Sequence, residues 1–408
     1  MARLVALALA LGLLYALVTP PGYGNDEGFH FVYTQTLWES GGAKIVGASP
    51  TRMSTYYWLT AAAYALTSGE QKQVQYFAMR LVSLALFVAE VVFAYLIARM
   101  LSPSSRFVYL ATPALVALLP GRLWTAATLN DDNLAAPASA ALLYFALRCL
   151  LRELQWRSVG GLALLVALTL LSKRTAWPVV AVVGIALLVA LVGRILAGRR
   201  PSVRRVAAAL SIVAGVLLAT LLLFGDRLAR AVAASANPGR LARLSQIPEP
   251  QPDPFVFQFK TFWMPLWRDD YGPPDLAYRL ALGLCLAVAV GLALHVAGAP
   301  LRRRRTSVGR RGLLCVGMVF AAVAGVWLLS LLQYLTYVGG TESFIPLDRK
   351  AGWAMHARYI FPALVPIAYL MAAGLARLIP ARAGSLGLSL LVALLLFLNG
   401  VAAYSLVS

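Results

Sequence analysis

The chain has 408 residues, 60% of them hydrophobic, and a mean hydropathy of +0.75. That composition excludes a soluble globule and fits a polytopic membrane protein whose apolar runs each cross a bilayer. The formal net charge of +20, from 36 Lys+Arg against 16 Asp+Glu, is not that of a nucleic-acid binder, because the basic residues gather in the short loops on one side.

In chain order the apolar runs predict eleven spans, near residues 3–19, 74–99, 106–120, 133–151, 158–172, 176–197, 206–224, 277–298, 312–336, 358–378 and 384–406. The first run, with Arg3 ahead of it, looks like a secretory signal. Thr19-Pro20-Pro21 follow in place of a small-x-small cleavage site, so an uncleaved span is expected. Spans three and five are short enough to require tilt, a kink or partial re-entry. With the N-terminus in the cytoplasm, the inside loops carry Arg3, Arg99, Arg106, Arg148, Arg152, Arg157, Arg194, the arginines of 199–205, Arg302–Arg305, Arg310, Arg311, Arg377 and Arg382. Glu153 alone opposes them, while the outside is nearly balanced. The Arg302–Arg305 run in the basic loop 299–311 reads as a topology anchor on anionic lipid. Cys149, Cys285 and Cys315, with His30, His295 and His356, form neither a disulfide framework nor a zinc ligand set.

Three outside segments are longer than turns: 20–73, 225–276 and 337–357. In the first, residues 28–40 and 52–66 predict amphipathic juxtamembrane helices. Their aromatics, Phe29, Phe31, Tyr33, Trp38, Tyr56, Tyr57, Trp58 and Tyr64, are expected at headgroup depth. The proline-rich second segment is expected to be an ordered lid or a cavity wall.

Nearly all the acids face outside, and four polar clusters sit there. Asp26-Glu27, with His30, lies where a span meets a loop, a natural place for a base that meets a lipid-borne substrate. The plainer reading is a turn capping a helix that starts near Gly28. Asn130-Asp131-Asp132-Asn133 offers carboxylates to an acceptor, a cation or the first loop, or else caps span four. Ser172-Lys173-Arg174-Thr175 is either an anion clamp or a headgroup anchor. Arg358, beside Tyr359, starts span ten at its outer end, where a cation opposes the helix dipole. It therefore needs an anionic partner, whether a ligand phosphate or Asp269, Asp270 or Glu342. Glu90, inside span two, reads as the partner of a polar group between helices rather than as part of the site.

An outside carboxylate pair, outside cations, interfacial aromatics and a long loop suit transfer from a lipid-phosphate-linked sugar. Such a donor carries its own leaving group. It needs one base for the acceptor hydroxyl, Asp26 or Glu27, and cations for the departing phosphate, Lys173, Arg174 and Arg358.

Four features carry a family resemblance, the first being the Asp26-Glu27 pair in a first outside loop flanked by juxtamembrane helices. Pro20-Pro21…Asp26-Glu27…His30 looks like a Pro-Pro-Asp-Glu-x-x-His first loop. The stretch from Leu170 to Ala176 is similar to Leu-x-Lys-x-Thr, and Ala357-Arg358-Tyr359-Ile360-Phe361-Pro362 to a late Gly-Arg-Tyr-x-x-Pro. In this order and sidedness they resemble the GT-C superfamily of membrane glycosyltransferases, which includes protein O-mannosyltransferases and aminoarabinose transferases, and within it one uncharacterised bacterial branch. The departures are the insertion Gly22-Tyr23-Gly24-Asn25, Ala357 in place of glycine, and the lack of a large soluble C-terminal domain, which leaves acceptor recognition to the membrane module and its loops.

The resemblance implies an all-α GT-C-like module over 1–408 in a bacterial plasma membrane, with its active site on the outer face. It implies an inverting enzyme that uses a polyprenyl-phosphate sugar and a hydroxyl acceptor on glycan, lipid or protein. By that analogy Asp26 is the base and Glu27 orients it or the acceptor. His30, Asp131, Asp132, Lys173, Arg174, Arg358 and Tyr359 would bind substrate. No metal ligand is assigned; if a divalent metal takes part, Asp131 and Asp132 are its ligands. The competing readings are a lipid-linked-sugar flippase or transporter, and a noncatalytic scaffold in envelope assembly.

Overall fold

A computed structural model describes residues 1–42, 54–151, 156–196, 254–264, 275–297, 310–338 and 356–407. Every regular element among them is helical: α1 (Ala2–Val18), α2 (Glu27–Glu39), α3 (Thr55–Thr67), α4 (Lys72–Leu101), α5 (Arg106–Leu118), α6 (Pro120–Ala126), α7 (Asp132–Leu151), α8 (Trp156–Ser172), α9 (Trp177–Leu196), α10 (Pro254–Trp263), α11 (Asp275–Ala297), α12 (Arg310–Val338), α13 (Leu364–Leu378) and α14 (Gly384–Val407). Short 3₁₀ turns at Arg174–Ala176, Ala357–Ala363 and Ala381–Ala383 lead into α9, α13 and α14.

Ten of the eleven expected spans coincide with helices; 206–224 lies outside the described residues. Length and apolarity narrow the count. Seven helical segments among the described residues are long and apolar enough to cross a membrane, or eight with the bent pair α5–α6, and α1 and Gly160–Ser172 are shorter apolar helices. The chain is a multi-pass membrane protein, and its surface agrees. Leu164, Ile185, Leu286, Leu386 and Leu390 are all more than half exposed, as lipid-facing side chains are.

Span three is kinked. Leu119 is extended ahead of Pro120, as a residue before proline prefers, and α5 and α6 meet at 58°. The break frees the Leu118 carbonyl, which accepts from Asn399 Nδ2 at 2.8 Å; Asn399 in turn accepts from Tyr15 Oη at 3.2 Å. A polar pair in an apolar layer thus ties α1 and α14 to the broken span.

Residues 132–143 of α7 are buried without exception, which makes it the innermost helix, packed against α4, α8, α9 and the 357–363 turn. α11 crosses α13 at Gly291 and Gly374, where a Cβ on Gly291 would lie 2.0 Å from the Gly374 carbonyl oxygen. Only glycine allows that approach.

The two first-loop helices form as α2 and α3, but their aromatics divide between two surroundings. Phe29, Trp38 and Trp58 point outward, whereas Phe31, Tyr56, Tyr57 and Tyr64 are buried. Phe31 stacks on Tyr76 of α4 with ring centroids 4.4 Å apart, so half of the expected interfacial belt docks the loop onto the bundle instead. Of the segment 225–276, α10 and the first residues of α11 are described. Most of that loop, most of 337–357 and residues 299–309 lie outside the described residues.

Candidate active site

The first loop turns sharply at Asp26, whose φ of 58° and ψ of 15° are left-handed; it is the one non-glycine residue with positive φ among those described. Aspartate tolerates this region better than most residues, yet such a conformation persists only where its surroundings hold it. Asp26 is the N-cap residue of α2, but its side chain makes no capping hydrogen bond, so the capping alternative does not describe it.

The next residue does the holding. Glu27 is fully buried and its two carboxylate oxygens accept five hydrogen bonds. Arg80 Nε and Nη2 donate at 2.8 and 2.7 Å, the Gly22 and Gly24 amides at 3.1 and 3.2 Å, and the Leu129 amide at 2.9 Å. Arg80 also donates to the carbonyls of Ala16, Thr19 and Pro20, closing the end of α1. A buried ion pair is tolerable when every polar atom is satisfied in this way, and this one belongs to the scaffold. Gly24 lets the loop lie flat on the 127–131 turn, since a Cβ there would come within 2.7 Å of Thr128 Cβ.

Asp26 faces the other way. Its side chain is 44% exposed, and its Oδ2 accepts from Arg358 Nη2 at 2.5 Å. Burial alone would raise its pKa, but the Arg358 guanidinium outweighs that and holds the carboxyl below the ordinary carboxylate range. Arg358 Nη1 also donates to the Asn25 carbonyl, and Nη2 lies 3.2 Å from Tyr359 Oη. Its Nε has no hydrogen-bond partner among the described residues.

Beside this pair, Lys173 reaches between two carboxylates, 2.6 Å from Asp131 Oδ1 and 2.7 Å from Asp132 Oδ2. Burial alone would depress the ammonium; the two carboxylates outweigh it and hold the pKa above the ordinary lysine value. Burial would likewise raise Asp131, but Lys173 holds it low. The Tyr359 ring joins the two halves, with Lys173 Nζ 5.6 Å and Arg358 Cζ 5.1 Å from its centroid. Asp26, Asp131, Asp132, Lys173, Arg358 and Tyr359 therefore meet at one end of the bundle. Arg174 does not enter these ion pairs; its guanidinium lies 5.7 Å from the Trp177 ring centroid.

His30 borders the same space. Its Nδ1 is 2.9 Å from Tyr57 Oη, and its ring stacks on Tyr57. Burial lowers its pKa to about 4, so it is neutral at neutral pH. His356 is also driven well below its ordinary value, first by burial and then by Arg358. Its Nδ1 accepts from the Arg358 amide at 3.1 Å, and its Nε2 lies 2.9 Å from Asn25 Nδ2.

A second sealed pair braces the Asp131 turn from inside the membrane. Glu90 Oε2 accepts from Arg122 Nη2 at 2.6 Å, and Arg122 Nη1 donates to Asn133 Oδ1 at 2.8 Å. Asn133 Nδ2 donates to the carbonyls of Thr125 and Thr128, and Asn130 Oδ1 accepts from the Asp132 amide at 2.9 Å to cap α7. The N-cap reading of this tetrad thus applies to Asn130, while both aspartates turn to Lys173.

Lys173 Nζ pairs with Asp131 Oδ1 and Asp132 Oδ2, the carboxylates offered to a metal by the sequence, and no group of three or more His, Cys, Asp or Glu suited to a metal occurs among the described residues. Asp269, Asp270 and Glu342, the expected partners of Arg358, lie outside the described residues; the described partner is Asp26. Sequence reasoning missed Arg80, Arg122, Asn25 and Tyr57. For the two arginines the signal was a cation within or beside an apolar run, the same signal that singled out Glu90.

No curated protein matches the sequence. Among solved structures, the chain is similar to ArnT from Cupriavidus metallidurans in the apo state, at 16% identity and a TM-score of 0.46, covering 94% of this chain and 61% of that one. It is also similar to the same protein bound to undecaprenyl phosphate, at 17% identity and a TM-score of 0.43, covering 92% and 60%. The chain thus spans about 60% of the length of the solved structures it matches. Residues 47–367 match the family described as "Predicted membrane protein (DUF2142)", and the chain belongs to that family.

Proposed function

We propose that this protein is an inverting membrane glycosyltransferase of the GT-C kind, moving a sugar from a polyprenyl-phosphate donor to an acceptor hydroxyl at the outer face. The observation that carries this reading is the setting of Asp26. It is a partly exposed carboxylate in a held, left-handed turn, with Arg358, Lys173 and Tyr359 gathered beside it. The motif resemblance of the first loop, the Lys173 segment and the Arg358-Tyr359 segment supports it, and the acid-rich side of the charge pattern supports the outer face.

In the proposed reaction the acceptor O–H lies against Asp26. The hydroxyl oxygen bonds to the anomeric carbon from the side opposite the phosphate, and its proton passes to the Asp26 carboxylate. The bond from the anomeric carbon to the phosphate oxygen breaks, and its electron pair leaves with the phosphate. Arg358 and Lys173 stabilise the charge that develops there. Asp26 then returns the proton to solvent through its exposed edge. Asp131 and Asp132 hold Lys173 charged and in place, Tyr359 backs both cations, and His30, neutral, lines the acceptor side. Glu27 takes the role of a positioning residue, because its oxygens are already saturated.

The test is turnover by the purified protein in lipid vesicles, supplied with polyprenyl-phosphate sugars and an acceptor pool. Asp26→Asn is expected to lose about 10²–10⁴-fold in rate, the range for one general base. Full activity in that variant removes Asp26 as the base. Donor movement across the bilayer without transfer favours the carrier reading.

A further inference from the structure

We propose that Arg358 is a latch exchanged between Asp26 and the donor phosphate, so that arrival of the lipid-linked donor is what frees the base. This rests on the transferase reading above.

The argument begins with charge. The described site holds three carboxylates, Asp26, Asp131 and Asp132, against two cations in ion pairs with them, Arg358 and Lys173. With both histidines neutral, these described groups have no spare positive charge for a phosphate. A phosphate arriving among them takes a cation away from a carboxylate. Lys173 is held by two carboxylates whose side chains are 16% and 0% exposed. Arg358 is held by one, and that one is 44% exposed. Water screens the second arrangement far more, so it yields first.

Arg358 is also built to change partners. Its backbone N–H donates to His356 Nδ1, which pins the main chain, and its Nη1 donates to the Asn25 carbonyl. Its Nε, buried and without a hydrogen-bond partner among the described residues, is a donor in reserve. A guanidinium presents paired donors to a phosphate, so exchange of a single carboxylate oxygen for two phosphate oxygens is favourable.

The exchange has a chemical consequence. While Arg358 sits on Asp26 the carboxylate is a weak base with one oxygen occupied. The other charged or titratable groups acting on it are His30 on its own helix and Lys173 from the turn before α9. Once Arg358 has moved to the phosphate, Asp26 has both oxygens free and a stronger affinity for the acceptor proton. Binding is then ordered, donor before acceptor, and the donor-free enzyme leaves hydroxyl groups alone.

Binding of undecaprenyl phosphate to the full chain in nanodiscs tests this without any catalysis. The measurement compares wild type, Asp26→Asn, Arg358→Gln and the double variant. Asparagine keeps the left-handed turn accessible, and Asp26→Gly serves if the asparagine variant fails to fold. The latch predicts that Asp26→Asn binds the lipid phosphate about twofold to fivefold tighter than wild type, the range for a partly screened ion pair. It also predicts that the advantage disappears in the Arg358→Gln background. Equal or weaker binding by Asp26→Asn overturns the latch. So does an advantage that persists without Arg358, because removal of one negative charge then explains it. If folded wild type and folded Asp26→Asn both fail to bind, the transferase reading itself falls.

Discussion

Two neighbouring carboxylates, Asp26 and Glu27, each bind an arginine from a distant part of the chain, and the two pairs serve opposite ends. The Glu27–Arg80 pair is sealed, with side chains 0% and 3% exposed and further backbone partners on both members. The Asp26–Arg358 pair is open on the carboxylate side and lacks a partner for one arginine nitrogen. A sealed, saturated pair can fix a loop but cannot respond to a substrate. An open pair contributes little stability and can exchange partners. The left-handed turn at Asp26 exists because the residue after it is bolted down.

The largest effect expected from breaking this contrast is on stability. Glu27→Gln or Arg80→Met leaves a buried group unpaired and is expected to cost about 3–5 kcal/mol. Asp26→Asn is expected to shift stability by less than about 1 kcal/mol. Thermal unfolding in detergent measures both, and a similar loss in the two cases would erase the distinction between the pairs.

A smaller effect should follow pH, through the neutral histidines on either side of the turn. The folded pKa of His30, about 4, lies below its ordinary 6.5, so between these values the unfolded chain binds more protons. Stability therefore rises with pH across that window and is lost as pH falls from 6.5 towards 4, by roughly 3 kcal/mol at the lower end for His30 alone. His356 acts in the same direction. His30→Gln should flatten the dependence measured between about pH 7 and about pH 4.5; an unchanged slope would place the titration elsewhere.

Smallest is the effect at Tyr359. Its hydroxyl lies 3.2 Å from Arg358 Nη2, while its ring backs both cations. Tyr359→Phe should weaken polyprenyl-phosphate binding by about 1 kcal/mol or less, whereas Tyr359→Ala should lose more. Equal losses would mean that the ring contributes nothing.

Much of this was legible in the chain. Apolar run lengths place helices at ten of the eleven expected positions, and Pro120 marks the kink, because bilayer thickness and proline sterics act locally. The candidate clusters were legible as well, since charges beside apolar runs are conspicuous. Their pairings were not. Arg80 lies 53 residues from Glu27, and Arg358 lies 332 from Asp26; no local pattern couples positions so far apart. Nor could the alternation of aromatics in α2 and α3 tell Phe31, docked on Tyr76, from Phe29, turned outward.

By itself, the sequence determined that this protein is a helical membrane protein with its acids concentrated between particular spans. Hydrophobic length and charge asymmetry are properties of segments, and the bilayer reads them segment by segment. Tertiary structure decided which of two adjacent acids is buried scaffold and which faces the open site. That division depends on what lies across the bundle from each: Arg80 and the Leu129 amide around Glu27, and the Arg358–Tyr359 turn beside a partly exposed Asp26.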